Sequence, residues 1–447
     1  MDAIATDIPD TLKLVDHPTA RNAAVATREL PIGTVVLTEP VLTSVLFSYQ
    51  TGRRCDYCNR SDQAEPELRI RKCTGCEVQG YCGELCQKRH WDSGHKLICR
   101  VLFRFMMSDA CAALPHDQEV DCRVLSQLVA EIALQRPESA ASIDIFESLL
   151  PSPHGLEVPP IVPMRRVDHN LLSRVPTLYQ RFPNNNHVVQ NHLRGIGVAI
   201  LPLTSRLLNH SCSPNAVLRY ILSASEKPRA EVVTIREISE GEEVSIPYLD
   251  PAISYPERQN RLKDTYGFDC SCKLCTVQSS MDIHPVDATQ VLPLVDLLDP
   301  MLCQLAFGEG ITIDFQLPEE QLCVRLPEDL QPLMDDSILS VLTERFRLAF
   351  RERFFEAAMT VGKTIFAIYL CIYPPYYPQI GVHVLDMAQV AWEKYLNEKI
   401  RENLDIVSIY LAIARRILDV YGREGDSGGP LDEANALLGT IQSEEQK

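Results

Sequence analysis

The chain has no uninterrupted apolar stretch long enough to cross a bilayer, which takes about 20 residues. The run from Thr364 to Tyr373 is too short, is halted by Pro374 and Pro375, and reads as a buried helix. The sequence opens MDAIATDIPD, with neither the basic nor the apolar segment of a secretory leader. The expectation is a cytoplasmic or nuclear protein whose thiols stay reduced. Positive charge is scarce too. Against 60 acidic residues stand 43 lysines and arginines, a net charge of −17, which argues against sequence-independent nucleic-acid binding. The deficit concentrates after residue 280, where roughly 27 acidic side chains meet about 13 basic ones. A groove beneath that region would steer basic peptides inward, or the charge serves solubility alone. No crisp internal repeat is visible. At 447 residues the chain has room for two or three domains.

Cysteine, by contrast, is plentiful, with 16 in all. Cys55, Cys58, Cys73, Cys76, Cys82, Cys86, His95 and Cys99 form two C-x-x-C pairs, one C-x-x-x-C and one H-x-x-x-C. A close pair on a tight turn can aim both ligands at one ion, so four pairs suit two tetrahedral zinc sites. The competing reading, a disulfide framework, needs an oxidising compartment that the amino terminus does not suggest.

The intervening residues, Tyr81-Cys82, Cys86-Gln-Lys-Arg-His-Trp91 and His95-Lys-Leu-Ile-Cys99, resemble a MYND zinc finger. That resemblance implies a cross-brace, with one Zn2+ on Cys55, Cys58, Cys82 and Cys86. The second would sit on Cys73, Cys76, His95 and Cys99. His90 breaks the ligand spacing and reads as a surface residue of a short helix, and Trp91 as a packing residue. In this family the finger binds proteins, often proline-rich peptides. Its basic residues (Arg53, Arg54, Arg69, Arg71, Lys72, Lys88, Arg89, Lys96) interleave with acidic ones and read as a solvated face. Direct nucleic-acid binding is not expected.

Further on come Asn209-His-Ser-Cys-Ser-Pro-Asn215, the stretch Glu231 to Tyr248 ending Glu243-Val-Ser-Ile-Pro-Tyr248, and Tyr266-Gly-Phe-Asp-Cys270-Ser-Cys272-Lys-Leu-Cys275. In this order they resemble the core and post-SET segment of a SET domain. A SET core with an inserted MYND finger is similar to the SMYD family of protein-lysine methyltransferases, and the resemblance covers nearly the whole chain. Cys270, Cys272 and Cys275 are one ligand short of a closed site, which Cys212 can supply, making three zinc ions expected. Cys111, Cys122, Cys303, Cys323 and Cys371 then remain as core residues.

The expected fold class is α+β: a β-rich split SET domain with an inserted finger and helical insert, followed by an α-helical, TPR-like region. Residues 1–50 read as the first part of the SET domain, with strands at Ala23 to Thr27 and Thr34 to Glu39 around the turn Leu30-Pro-Ile-Gly33. The finger occupies 51–100, and a helical insert 101–194. In that insert Val124, Leu125, Leu128, Val129, Ile132 and Ala133 recur at helical spacing. A proline-rich loop, Pro151 to Pro160, interrupts it. The core SET region follows at 195–250, the post-SET segment at 251–280 and the helical region at 281–447. Its helix signals run from Phe346 to Tyr369, Val382 to Tyr395 and Leu404 to Tyr421.

Lysine methylation needs a neutral amine, and a narrow apolar channel lowers the lysine pKa from about 10.4. Alignment of amine and methyl supplies much of the rest. Tyr248 matches the family's catalytic tyrosine, with Pro247 holding Ile246 extended. By the same resemblance Asn209, His210 and Asn191 contact S-adenosyl-L-methionine, while Tyr266 and Phe268 line its site and the lysine channel. One departure stands out. Where the family has a Gly-x-Gly turn, this chain has Arg21-Asn22-Ala23. Asn22 tolerates a left-handed backbone and is expected to stand in for glycine there, while Ala23 adds a methyl.

The resemblance thus implies an S-adenosylmethionine-dependent enzyme acting on a lysine of a protein or peptide, with histones among the candidate substrates. The alternative is a catalytically weak or inactive SET/MYND protein that recruits partners through its finger and helical region. A monomer not bound to membranes is expected.

Overall fold

The computed structural model describes residues 8–445, apart from 64, 66, 165, 166, 282 and 284. The opening segment is a hairpin in which Ala23–Ala26 pairs antiparallel with Leu12–Val15. Its small residues let all four positions of the second strand be buried. Val35–Pro40 then pairs with Arg229–Thr234, beyond the insertion, which pairs in turn with Ala216–Ile221. A second antiparallel sheet runs Thr43–Leu46, Arg194–Ile200, Asn186–Asn191. The split domain therefore closes through strands from either side of the insertion. That is the expected α+β architecture.

The β-structure resumes at Asn186, inside the stretch read as helical insert. Its hairpin turns on His192 and Leu193, both left-handed at φ 54° and 58°. Such turns usually carry Asn or Gly, so this one has no visible signature. Before it, helices His116–Ala133 and Pro137–Ser148 bury Val124, Leu125, Leu128, Val129 and Phe146. The prolines between residues 150 and 164 keep that segment free of helix and strand.

In the finger, Arg71–Lys72 pairs with Gly80–Tyr81, and Glu84–His90 leads through Trp91–His95 into Lys96–Met106. Gly94 kinks this path at φ 147°. A Cβ there would lie 2.8 Å from Gln127 Nε2, so glycine lets the finger press onto the insert's long helix.

The carboxy-terminal region is helical: Val291–Phe307, Asp336–Arg351, Phe355–Ile372, Pro378–Glu398, Arg401–Tyr421 and Pro430–Glu445. Phe355–Ile372 is long and apolar enough to cross a membrane by length and composition, but 67% of it is buried among its neighbours. It is a core helix. The stretch Phe346 to Tyr369, read as one helix, is two. Arg353 turns left-handed at φ 62° and folds the second helix back on the first.

Candidate active site

Each of the three predicted ligand sets converges. Cys55, Cys58, Cys82 and Cys86 form one group, Cys73, Cys76, His95 and Cys99 another, and Cys212, Cys270, Cys272 and Cys275 a third. Within each, the ligand atoms lie within 4.8 Å of one another. Tetrahedral zinc with bonds of about 2.3 Å sets its sulfurs about 3.8 Å apart. Here Cys58 and Cys82 are 3.6 Å apart, Cys73 and Cys99 3.7 Å, and Cys212 and Cys275 3.5 Å. Disulfide sulfurs would be about 2.0 Å apart. His95 points Nε2 at Cys73 and Cys76, at 3.5 and 3.7 Å. Burial lowers its pKa to about 4, leaving the neutral imidazole that a metal requires. The donor sets fit zinc.

Two finger residues differ from expectation. His90 is buried, not superficial. Its ring stacks 5.5 Å from His95, and its Nδ1 lies 3.0 Å from the Tyr81 hydroxyl. The helix turn that presents Cys86 carries His90 inward with it. Arg54 is likewise absent from the solvated face. It is buried, donating to the Asn59 carbonyl at 2.8 Å and to Asp426 Oδ2 at 3.0 Å. Trp91 packs one edge on His95 and exposes the other.

The third cluster borders the predicted catalytic tyrosine. Ser245–Ile246 pairs in parallel with Asn209–His210, bringing Pro247 and Tyr248 beside that motif. The Tyr248 amide donates to His210 Nδ1 at 2.9 Å, which leaves the imidazole proton on Nε2, 3.1 Å from Cys212 Sγ. The Tyr248 hydroxyl donates to the Leu208 carbonyl at 2.6 Å. Its ring lies 4.8 Å from Tyr266 and 5.3 Å from His210, with Phe268 6.0 Å from His210. Burial raises the pKa of Tyr248, and that of Tyr266 to about 12. Both are neutral phenols at physiological pH.

Asn209 donates through Nδ2 to the Asn22 carbonyl at 2.8 Å and to Glu243 Oε1 at 2.7 Å. Asn22, Asn209, His210, Tyr248, Tyr266 and Phe268 are thus gathered in one neighbourhood. Asn22 does so without a left-handed backbone, which none of residues 21–23 adopts. A left-handed residue is not needed here, because the chain enters the strand Ala23–Ala26 directly. Asn191 is not brought to the site. Its Oδ1 accepts from the Asp426 amide at 2.8 Å, and its side chain is packed against Gly425. The left-handed turn after it swings this end of the hairpin toward the carboxy-terminal region.

Tyr248 opens on a cavity of about 300 Å³. Pro247, Tyr248 and Tyr266 line it from the core, and Tyr377, Gln379 and Tyr421 from the helical region. The last three were not foreseen, since nothing in the sequence around them marks them. His187 also borders it, Nε2 2.9 Å from Ser205 Oγ, kept neutral by burial with a pKa near 4. Arg258 was missed as well. It looks like the other charged residues of Tyr255–Tyr266, yet its side chain is fully buried against the third cluster.

A family model described as SET domain matches residues 22–249. An N-lysine methyltransferase SMYD2-B of Xenopus laevis is 28% identical over 281 residues, 60% of this chain and 62% of that protein. The histone-lysine N-methyltransferase ASHR1 of Arabidopsis thaliana is 27% identical over 265 residues, 56% of this chain and 52% of that one. N-lysine methyltransferase SMYD2 of Homo sapiens is 24% identical over 378 residues, covering 78% and 82%. The chain thus spans about six-tenths of the first relative's length and about half of the second's.

Proposed function

This chain belongs to the SET domain family, with SMYD proteins among its relatives, and from that premise we propose that it is a protein-lysine N-methyltransferase. We assign S-adenosylmethionine as its cofactor and Tyr248 as its catalytic residue. When bound, the cofactor would supply a methyl group on a positively charged sulfonium. Asn209, His210 and the Asn22 backbone would hold it, with Tyr266 and Phe268 as walls.

One observation carries the reading. The Tyr248 hydroxyl already gives its proton to the Leu208 carbonyl, so its oxygen has lone pairs left to accept from an incoming amine. A phenol with a raised pKa does not act as a base at pH 7. Tyr248 therefore orients the lysine, whose amine gives its proton to bulk water on entry because desolvation in the cavity disfavours the ammonium. Zinc at the three clusters would brace this region and the finger. The acidic carboxy-terminal region suits a basic peptide, histone tails included. The rival reading, a silent scaffold, drew on the missing glycine. With residues 21–23 in ordinary backbone, that support reduces to one methyl on Ala23.

The test is calorimetric titration of S-adenosylmethionine into zinc-replete wild type and Tyr248→Phe. Both are expected to bind, and methyl transfer to histone or lysate proteins falls about a hundredfold in the variant. Absence of binding in both would instead establish the scaffold.

A further inference from the structure

Arg258 is among the largest fully buried side chains of the molecule. Burying an unpaired guanidinium costs several kcal/mol, and arginine does not escape by losing its proton. Among the described residues no carboxylate pairs with it. All five of its N–H donors are nevertheless used. Nε donates to Cys212 Sγ at 3.3 Å, and Nη2 to Cys275 Sγ at 3.8 Å and to Gln278 Oε1. Nη1 donates to the carbonyls of Pro251, at 2.9 Å, and Ile253. Among the described residues it meets, beyond neutral carbonyls and an amide, only the sulfurs of the cluster, which become thiolates when Zn2+ binds. Four thiolates around one Zn2+ carry two negative charges in excess, so a guanidinium offsets half of them. Cys212 takes a second donor, His210 Nε2, whose other nitrogen holds the Tyr248 amide. Arg258 meanwhile grips the segment immediately after Tyr248 through two carbonyls.

We propose that Arg258 is the counter-charge and clamp of the third thiolate cluster, a positioning residue that fixes the segment following Tyr248 against the metal. The inference rests on that cluster holding zinc, and its effect on turnover rests on the proposed activity. Lysine would keep the charge yet lose the planar fork that reaches sulfur and carbonyls together.

The experiment uses full-length, zinc-replete protein as wild type, Arg258→Lys and Arg258→Met. Bound zinc is counted by mass spectrometry, and its release to a chromophoric chelator is followed in time. Wild type is expected to hold three ions. Arg258→Lys releases one of them ten- to a hundredfold faster, as loss of an outer-shell partner does, and the other two at wild-type rates. Adding Cys272→Ser, which removes a ligand of this cluster, abolishes the fast phase. The kcat for peptide methylation drops in Arg258→Lys while the peptide KM holds. Arg258→Met shows the same selective loss more strongly, and if it does not fold, Arg258→Lys decides. Release of all three ions at wild-type rates, release of all three faster together, or a wild type holding only two would overturn the proposal. The zinc measurements need no turnover, so failure of the methyltransferase reading shows up separately, as a wild type with three ions and no transfer.

Discussion

Asn22 and Asn209 form the tightest link between the two halves of the split domain at the site, a 2.8 Å bond from a side-chain amide to a backbone carbonyl. Any residue can offer that carbonyl, provided the backbone runs as it does here. Asn22→Gly should therefore bring no gain in S-adenosylmethionine affinity, and should cost about 0.5–1 kcal/mol of stability through backbone entropy. Calorimetry beside chemical unfolding checks both. A cofactor affinity raised more than threefold would mean that close approach at this turn does require glycine. Spacing and residue type made Asn209, His210 and Tyr248 legible in the sequence. Arg258 and His90 were not, because a buried and an exposed member of a charged helix read alike until packing separates them.

At the scale of elements, the strand Val35–Pro40 holds the helix Pro202–Leu207 by a single carboxylate. Glu39 is buried and accepts from the amides of Leu203 and Thr204 and from the Thr204 hydroxyl, each at 2.8 Å. Burial outweighs these donors and raises its pKa from 4.5 to about 7. Between those values the folded chain binds more protons than the unfolded one. Glu39 thus makes stability fall as pH rises from about 4.5 to 7. The destabilisation caused by Glu39→Gln should accordingly shrink between pH 5 and pH 7.5 in guanidinium unfolding. A cost that grew with pH would show that the donors, not burial, dominate. The helix periodicity of the insert was legible. The hairpin at His192 and Leu193 and the break at Arg353 were not, since both use left-handed residues without glycine.

Across the whole molecule, finger, core and helical region meet at one residue. Asp426 Oδ2 accepts from Arg54 Nη1 and the Ser61 amide in the finger, each at 3.0 Å, while its own amide reaches Asn191 in the core. Next to it, Gly425 bonds both ways with the edge strand Ala216–Ile221 and its extension, from its amide to the Tyr220 carbonyl and from its carbonyl to the Leu222 amide. A Cβ at Gly425 would come within 2.0 Å of Asn191 Oδ1. Asp426→Ala should cost about 3–5 kcal/mol by stranding the buried Arg54. A loss under about 1 kcal/mol on chemical unfolding would mean that water already screens the pair.

By itself the sequence determined the three ligand sets, the order of split core, finger and helical region, and the tyrosine set beside the Asn-His motif. Such sets are recognised by residue type at short spacing, and spacing is local. Only the tertiary structure decided that Asn191 serves a domain junction, that Tyr377 and Tyr421 wall the cavity, and that Arg258 backs the third cluster. Those roles depend on which elements pack together over long stretches of chain, where burial and charge pairing are settled by neighbours that no local pattern names.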